Sequence, residues 1–127
     1  MEPIKDKLRE FEEAVEALQN NADMVSNNIR MVEHKLYELK LHLKFEAEIN
    51  STAIISWELY EPQDKYRLML SYKDKNNNIF KKPFIAHSLD KRREFVDSLP
   101  FFVKSFTQKI KEINQSLSEM SGFINNF

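Results

Sequence analysis

The side chains best suited to chemistry in this sequence are three histidines and a group of carboxylates. His34 and Glu38 lie four residues apart, a helical spacing that brings two ligands to one metal ion, but two ligands do not make a metal site. His42 and His87 are too scattered to complete a recognisable set. Four glutamates near the amino terminus have the spacing of an ordinary charged helix surface, namely Glu10, Glu12, Glu13 and Glu16. We therefore predict no metal and no cofactor.

Residue types that are missing exclude further chemistry. Cysteine is absent, so the chain has neither a disulfide nor a thiolate metal site, and a reducing, cytoplasmic location is expected. Gly122 is the single glycine, whereas the phosphate-binding loops of Walker and Rossmann type need several. No serine, histidine and acid arrangement has a supporting motif. The sequence predicts a protein that is not an enzyme.

Length and hydropathy indicate one domain that does not enter a membrane. A chain of 127 residues is long enough to bury a core, and we expect residues 1–127 to form a single domain. The first residues carry acids and no apolar run, so a classical signal peptide is not expected. The longest uncharged apolar stretch, residues 99–103, is far shorter than the roughly 20 residues that span a bilayer.

The first third of the chain has the pattern of one long amphipathic helix, at about residues 4–40. Its apolar residues alternate in steps of three and four, which makes a heptad seam typical of coiled coils. At about 1.5 Å per residue this helix is longer than a domain of this size covers. The seam consists of Ile4, Leu8, Phe11, Val15, Leu18, Ala22, Val25, Ile29, Val32, Leu36 and Leu39.

The middle of the chain alternates with a period of two, which predicts an antiparallel meander of three to four strands. The strands are expected at about 41–49, 52–61, 66–73 and 79–85. Pro83 cannot donate to a strand ladder, so it confines the fourth strand to an edge of the sheet. Trp57, the single tryptophan, is predicted to be a core residue whose indole N–H finds a partner.

A second long helix is predicted at about residues 89–126, with Ser88 as its N-cap. Pro100 predicts either a kink or a break, and the unbroken heptad phase favours a kink. The separate short helix over residues 89–97 is the alternative. The second seam consists of Val96, Leu99, Val103, Phe106, Ile110, Ile113, Leu117, Met120, Ile124 and Phe127.

These elements predict an α+β fold whose helices pack as a coiled-coil-like hairpin or bundle. Four strands would let the second helix run back antiparallel along the first, whereas three would force the seams to pair between molecules. Both apolar stripes are wider than a two-helix seam needs, which favours a homodimer over simple packing on the dry face of the sheet. The predicted oligomer interface comprises Phe11, Val15, Leu18, Val25, Ile29, Val32, Phe106, Ile110, Ile113 and Leu117.

Charge is distributed unevenly, which gives a second interpretation. Residues 1–62 hold 7 basic and 13 acidic side chains, whereas residues 65–93 hold nine basic and two acidic ones. The basic segment suits phosphates or an acidic partner, with nearby aromatic rings available for base stacking. The favoured alternative is neutralisation within the fold or the dimer. The candidate contacts are Lys81, Lys82, Lys91, Arg92 and Arg93, and the candidate rings are Tyr66, Tyr72, Phe80 and Phe84.

The leading functional prediction is a non-enzymatic oligomeric interaction or adaptor module that associates with itself and with an unidentified protein. Abundant Asn, Lys, Ile and Phe suggest an AT-rich genome such as some phages or bacteria have. If the source is a phage, an inhibitor of a host protein becomes a leading form of this function. A nucleic-acid-associated factor is the first alternative. The helix, four strands and helix layout is similar in architecture to α-type prefoldin subunits, without their glycine-rich hairpin sequence, and implies a holdase chaperone as the second alternative.

Overall fold

The computed structural model describes the backbone of residues 2–125 and the side chains of residues 3–122. Its order of elements is one long helix, four strands and two further helices, and the predicted α+β fold is confirmed. The elements are α1 (Glu2–Glu38), β1 (Phe45–Asn50), β2 (Ala53–Tyr60), β3 (Lys65–Lys73), β4 (Ile79–Pro83), α2 (Leu89–Val96) and α3 (Leu99–Asn125), with 3-10 turns at Glu61–Gln63 and Phe84–Ala86.

The four strands form one antiparallel meander in the order β1-β2-β3-β4. Register places Phe45 opposite Trp57 and Trp57 opposite Leu68, so the apolar residues of alternate positions share one face. That face is dry because α1, α2 and α3 cover it. The core comprises Ile29, Ala47, Ala53, Ile55, Trp57, Leu68, Leu70, Phe84, Phe95, Leu99, Phe102 and Phe106.

Two strand boundaries differ from the sequence prediction. Pairing of β1 begins at Phe45 rather than near residue 41, because residues 41–44 link α1 to the sheet without a partner strand. The Leu41 carbonyl in this link accepts a hydrogen bond of 2.8 Å from the Trp57 indole, which confirms the partner predicted for that buried ring. Strand β4 ends at Pro83, on the edge of the sheet as predicted, and the chain continues into the turn Phe84–Ala86.

The second helix is broken rather than kinked at Pro100. Helix α2 ends at Val96, Asp97 and Ser98 form a turn, and α3 begins at Leu99. Pro100 lies in the first turn of α3, where a missing N–H leaves no hydrogen bond unmade. Ser88 is the predicted N-cap, and its side chain accepts a 3.4 Å hydrogen bond from the Lys91 backbone.

The break changes the direction of the last helix. Asn28 of α1 faces the turn around Asp97, whereas Leu36 and Leu39 face Phe106 and Ile110. Helices α1 and α3 therefore run in the same sense on either side of an open groove. The predicted coiled-coil-like hairpin is not confirmed. Helix α2 and the turn after it add one further reversal of the chain, so α3 runs parallel to α1 rather than antiparallel.

A partly buried ion pair fixes α1 to the sheet. Glu33 accepts hydrogen bonds from Arg67 Nε at 2.8 Å and from the Leu68 backbone N–H at 2.8 Å. Leu68 lies one residue before Met69, the first residue of β3 that pairs with β4, so its N–H would otherwise lack a strand partner on that side. The Glu33 carboxylate thus accepts the hydrogen bond that β3 could not form with β4, and it fixes the position of α1 along β3.

Candidate interaction surfaces

The amino-terminal part of α1 extends beyond the sheet as an arm, defined here as residues 3–24. Its seam is exposed, with Phe11 65% and Leu18 50% accessible, and only Val15 and Ala22 are partly covered. From Val25 onward the same seam turns into the core, where Ile29 is fully buried. The heptad pattern therefore continues about three repeats past the surface that could bury it within this chain.

The carboxy-terminal part of α3 forms a second arm, defined here by its described side chains, residues 107–122. Ile110, Leu117 and Met120 of its seam are exposed, and Ile113 is half-buried. Because α1 and α3 run in the same sense, the two arms leave the sheet at opposite ends. The last seam positions, Ile124 and Phe127, lie outside the described side chains.

Between the arms, α1 and α3 border an apolar groove. It consists of two adjoining cavities of about 390 and 610 Å³ that share Met31, Val32 and Val103. Exposed Met31, Leu39 and Val103 line it with the edge of the core. Exposed apolar patches with a polar rim often mark interaction sites, so the groove is a candidate binding surface. The groove is lined by Asn28, Met31, Val32, Lys35, Leu36, Leu39, Leu41, Val96, Asp97, Leu99, Pro100, Phe102, Val103, Lys104, Phe106, Thr107 and Ile110.

The structure divides the predicted oligomer interface into two groups. Ile29 and Phe106 belong to the core of one chain, and Val25 and Val32 pack against that core. Two apolar residues beside the second seam also belong to the core rather than to a free surface, since Phe95 and Phe102 are buried under the sheet. The remaining interface residues are on the arms or at the end of the groove, and their role in association stays a prediction. They are Phe11, Val15, Leu18, Ile110, Ile113 and Leu117.

Three of the five candidate basic contacts are used inside the fold. Lys81 reaches across β3 to Glu58 of β2 at 2.6 Å. Lys91 contacts Glu94 at 3.2 Å and lies 4.6 Å from the centre of the Tyr72 ring. Arg92 donates to the Ser26 hydroxyl and, at 3.1 Å, to the His87 carbonyl. Lys82 and Arg93 are exposed and have no ion-pair partner among the described residues.

The aromatic rings near these cations are mostly structural. Phe84 is fully buried, and Tyr66 and Tyr72 are half-buried at the rim of the core. Phe80 is partly exposed but stacks on Tyr72 with ring centres 5.3 Å apart. Within the described residues, the structure therefore shows no series of solvent-exposed aromatic rings along the basic segment.

His87 lies at a buried junction between α2 and the sheet. Its Nε2 is 2.7 Å from the Leu70 carbonyl and 3.1 Å from the Lys82 carbonyl, which identifies Nε2 as the protonated nitrogen. Its Nδ1 is buried without a partner. Burial lowers the pKa of His87 from its ordinary value of 6.5, more than the two carbonyl bonds raise it, and nearby Lys82 adds to the decrease.

Among the described side chains, the other titratable groups do not form a cluster that could hold a metal ion. His34 Nε2 lies 3.8 Å from Glu38 on an exposed face, and His42 packs edge-on against Tyr66. Among residues 3–122 no three metal-ligating side chains of the required types come together. An open cavity of about 490 Å³ beside Trp57 is lined by Tyr37, His42, Lys65 and Tyr66 among others, with no hydrogen-bonded nucleophile and base.

Sequence reasoning missed the groove and the Glu33–Arg67 contact. Both seams were recognised, but their periodicity says nothing of the side on which α3 lies relative to α1. Glu33 and Arg67 are 34 positions apart, so no local pattern could have paired them. No helix in the described part of the chain is both long and apolar enough to cross a bilayer.

Comparisons with protein-family models, with curated proteins and with solved structures found no match. The function is therefore inferred from the surfaces of the chain itself.

Proposed function

We propose that the chain is a non-enzymatic interaction or adaptor module of the cytoplasm that works by helix-to-helix association with protein, itself included. One observation carries the proposal: both long helices continue their apolar seams past the sheet that buries the rest of them. A helix surface with exposed leucine, isoleucine and phenylalanine every three or four residues gains free energy when another apolar ridge covers it. An inhibitor that occupies a surface of another protein is a specific form of this function.

The proposal is tested by measuring mass and helicity together. Static light scattering across a hundredfold concentration range should show association, and circular dichroism should show helical arms. The double variant Leu8→Asp with Leu18→Asp should reduce association at least tenfold, because it places charges in the seam. The matched control, Glu13→Asp with Asn20→Asp, changes the opposite face of the same arm and should leave association unchanged. A monomer with uncoiled arms at the highest concentration contradicts the proposal.

Nucleic-acid association has less support, because Lys81, Lys91 and Arg92 already have partners within the chain. A gel-shift assay with the wild-type protein tests it. Binding that weakens steeply with salt, and that disappears when Lys82 and Arg93 are reversed to glutamate, would favour this alternative.

A holdase-like chaperone also uses exposed apolar arms, so this second alternative has an observation in its favour. Its test is suppression of aggregation of an unfolded client protein. The Leu8→Asp, Leu18→Asp variant should lose that suppression if the arms bind the client.

A further inference from the structure

The groove between α1 and α3 is an apolar surface that no part of the described chain covers. We propose that the N-terminal arm of a second copy of this chain fills it, while the first copy's arm fills the groove of the second. This reciprocal dimer rests on the proposed function and specifies the surfaces that associate. Each interface would contain the exposed seam of residues 3–24 and the groove around Val103 and Ile110.

The arm cannot fill the groove of its own chain. Helix α1 is continuous from Glu2 to Glu38, and the groove lies along its last third, so the arm would have to fold back on itself. The arm instead points away from the sheet at the end where Asn28 meets the turn at Asp97. A two-fold axis perpendicular to α1 at that end places each arm over the other chain's groove, which closes the dimer.

Length and period match between the two surfaces. The arm is about 33 Å long at 1.5 Å per residue, and α3 from the groove to residue 122 has nearly the same length. Ile4, Phe11 and Leu18 repeat every seven residues in the arm, and Leu117, Ile110 and Val103 repeat every seven residues in α3. Since the two helices are antiparallel in the dimer, one register brings Leu18 opposite Val103, Phe11 opposite Ile110 and Ile4 opposite Leu117.

Charge favours this pairing over a parallel pairing of two arms. Residues 10–23 of the arm carry five acidic side chains and no basic one. Lys35 and Lys104 border the groove, and Lys109 and Lys111 follow on α3. Two parallel arms would align these acids with one another, whereas an arm beside α3 brings them to lysines.

The area is sufficient for a stable dimer. Each exposed seam side chain presents on the order of 100 Å² of apolar surface. Two arms in two grooves bury on the order of 2,000 Å² in total, at the upper end of the roughly 1,200–2,000 Å² of ordinary specific interfaces.

Cross-linking between two differently tagged copies tests the arrangement, and the absence of native cysteine makes each introduced thiol unique. Leu18→Cys in one copy and Val103→Cys in the other should form a mixed disulfide under mild oxidation, because the register makes their side chains neighbours. Leu18→Cys with itself should not. Asn20→Cys, on the opposite face of the arm, is the matched control and should react with Val103→Cys at least tenfold less.

Charge reversal supplies a second measurement that does not depend on thiol geometry. Glu12→Lys with Glu16→Lys should weaken self-association at least tenfold, as should Lys104→Glu with Lys109→Glu. All four substitutions in one chain should restore it, and circular dichroism checks that each variant keeps its fold. A dimer that cross-links through Leu18 to Leu18 overturns the reciprocal dimer and leaves the proposed function standing. A monomer with helical arms overturns the reciprocal dimer and self-association, and leaves only association with another protein. A monomer with uncoiled arms overturns both.

Discussion

Polar side chains inside this fold form hydrogen bonds that link elements distant in sequence. Glu33 ties α1 to β3 through Arg67 and the Leu68 N–H, and Arg92 ties α2 to α1 through Ser26. Each of these contacts pairs polar groups that would otherwise be buried without a partner. Loss of one such hydrogen bond costs about 1–3 kcal/mol. These contacts therefore help to hold the helices at fixed positions on the sheet.

His87 makes the stability of the fold depend on pH. The lowered pKa means that the unfolded chain takes up a proton near pH 6.5 while the folded chain stays neutral. Stability from the neutral ring is complete above pH 6.5 and is lost as the pH falls toward the lowered pKa. The unpaired, buried Nδ1 adds a physical reason, because a proton there would find no acceptor.

We predict that the free energy of unfolding, measured by urea denaturation, decreases between pH 6.5 and 5.5 by up to about 1.4 kcal/mol per pH unit through this residue. His87→Gln keeps an N–H for the Leu70 carbonyl and has no such titration, so it should flatten this part of the curve. Exposed His42→Gln is the control and should retain the wild-type slope. An unchanged slope in His87→Gln would contradict the assignment.

Individual residues were predictable from the sequence where a local period determined them. Trp57 was predicted to be a core residue from its place in the second strand, and it is buried. The contacts of Glu33, Arg92 and His87 were not predictable, because each depends on how distant elements meet. The sequence also could not show which cations of the basic segment have partners within the chain. Lys81, Lys91 and Arg92 have them, whereas Lys82 and Arg93 have no ion-pair partner among the described residues.

At the scale of elements, sharp chain reversals are made almost without glycine. Lys40, Asp64 and Asn77 adopt positive φ of 53°, 50° and 64° at the ends of helix and strand segments. Asn and Asp tolerate this region, whereas Lys is strained there because its Cβ approaches the backbone. The position after α1 is therefore an ordinary helix C-terminus that lacks the residue best suited to it.

Lys40→Gly should raise the free energy of unfolding by about 0.5–1 kcal/mol, because glycine removes the Cβ contact at a positive φ. Asn77→Gly is the matched control at a similar φ and should gain less, since asparagine already adopts this conformation readily. Chemical denaturation of both variants and the wild type measures the difference. A loss of stability in Lys40→Gly would show that unfolded-state entropy outweighs the strain.

Element boundaries followed from the sequence where side-chain chemistry specifies a helix end or a strand edge. Ser88 is an example, since a cap acts locally. Pro83 correctly placed β4 at the edge of the sheet, although the strand ends two residues before the predicted boundary. The choice between a kink and a break at Pro100 was not local. Burial of Phe95, Leu99 and Phe102 against the same core holds α2 and α3 in place on either side of the break, although the heptad phase runs through it.

At the scale of the whole molecule, the sheet and three helices bury one part of each seam and leave the arms in water. An isolated helix of about 20 residues is marginally stable, because nucleation is costly and propagation gains little per residue. Asn20, Asn21, Asn27 and Asn28 lower the helix propensity of α1 further. The helical state of the arms is therefore coupled to whatever covers their seams.

Hydrogen exchange should reveal this coupling. Amides of residues 5–20 should exchange slowly at concentrations where light scattering shows association, and at least tenfold faster in dilute protein. Amides of β2 and β3 should exchange at the same rate under both conditions, because the core is buried within one chain. In the Leu8→Asp, Leu18→Asp variant the arm should exchange fast at every concentration. Slow exchange of the wild-type arm in a dilute monomer would mean that α1 is stable without a partner, which would contradict the predicted coupling between association and helix formation.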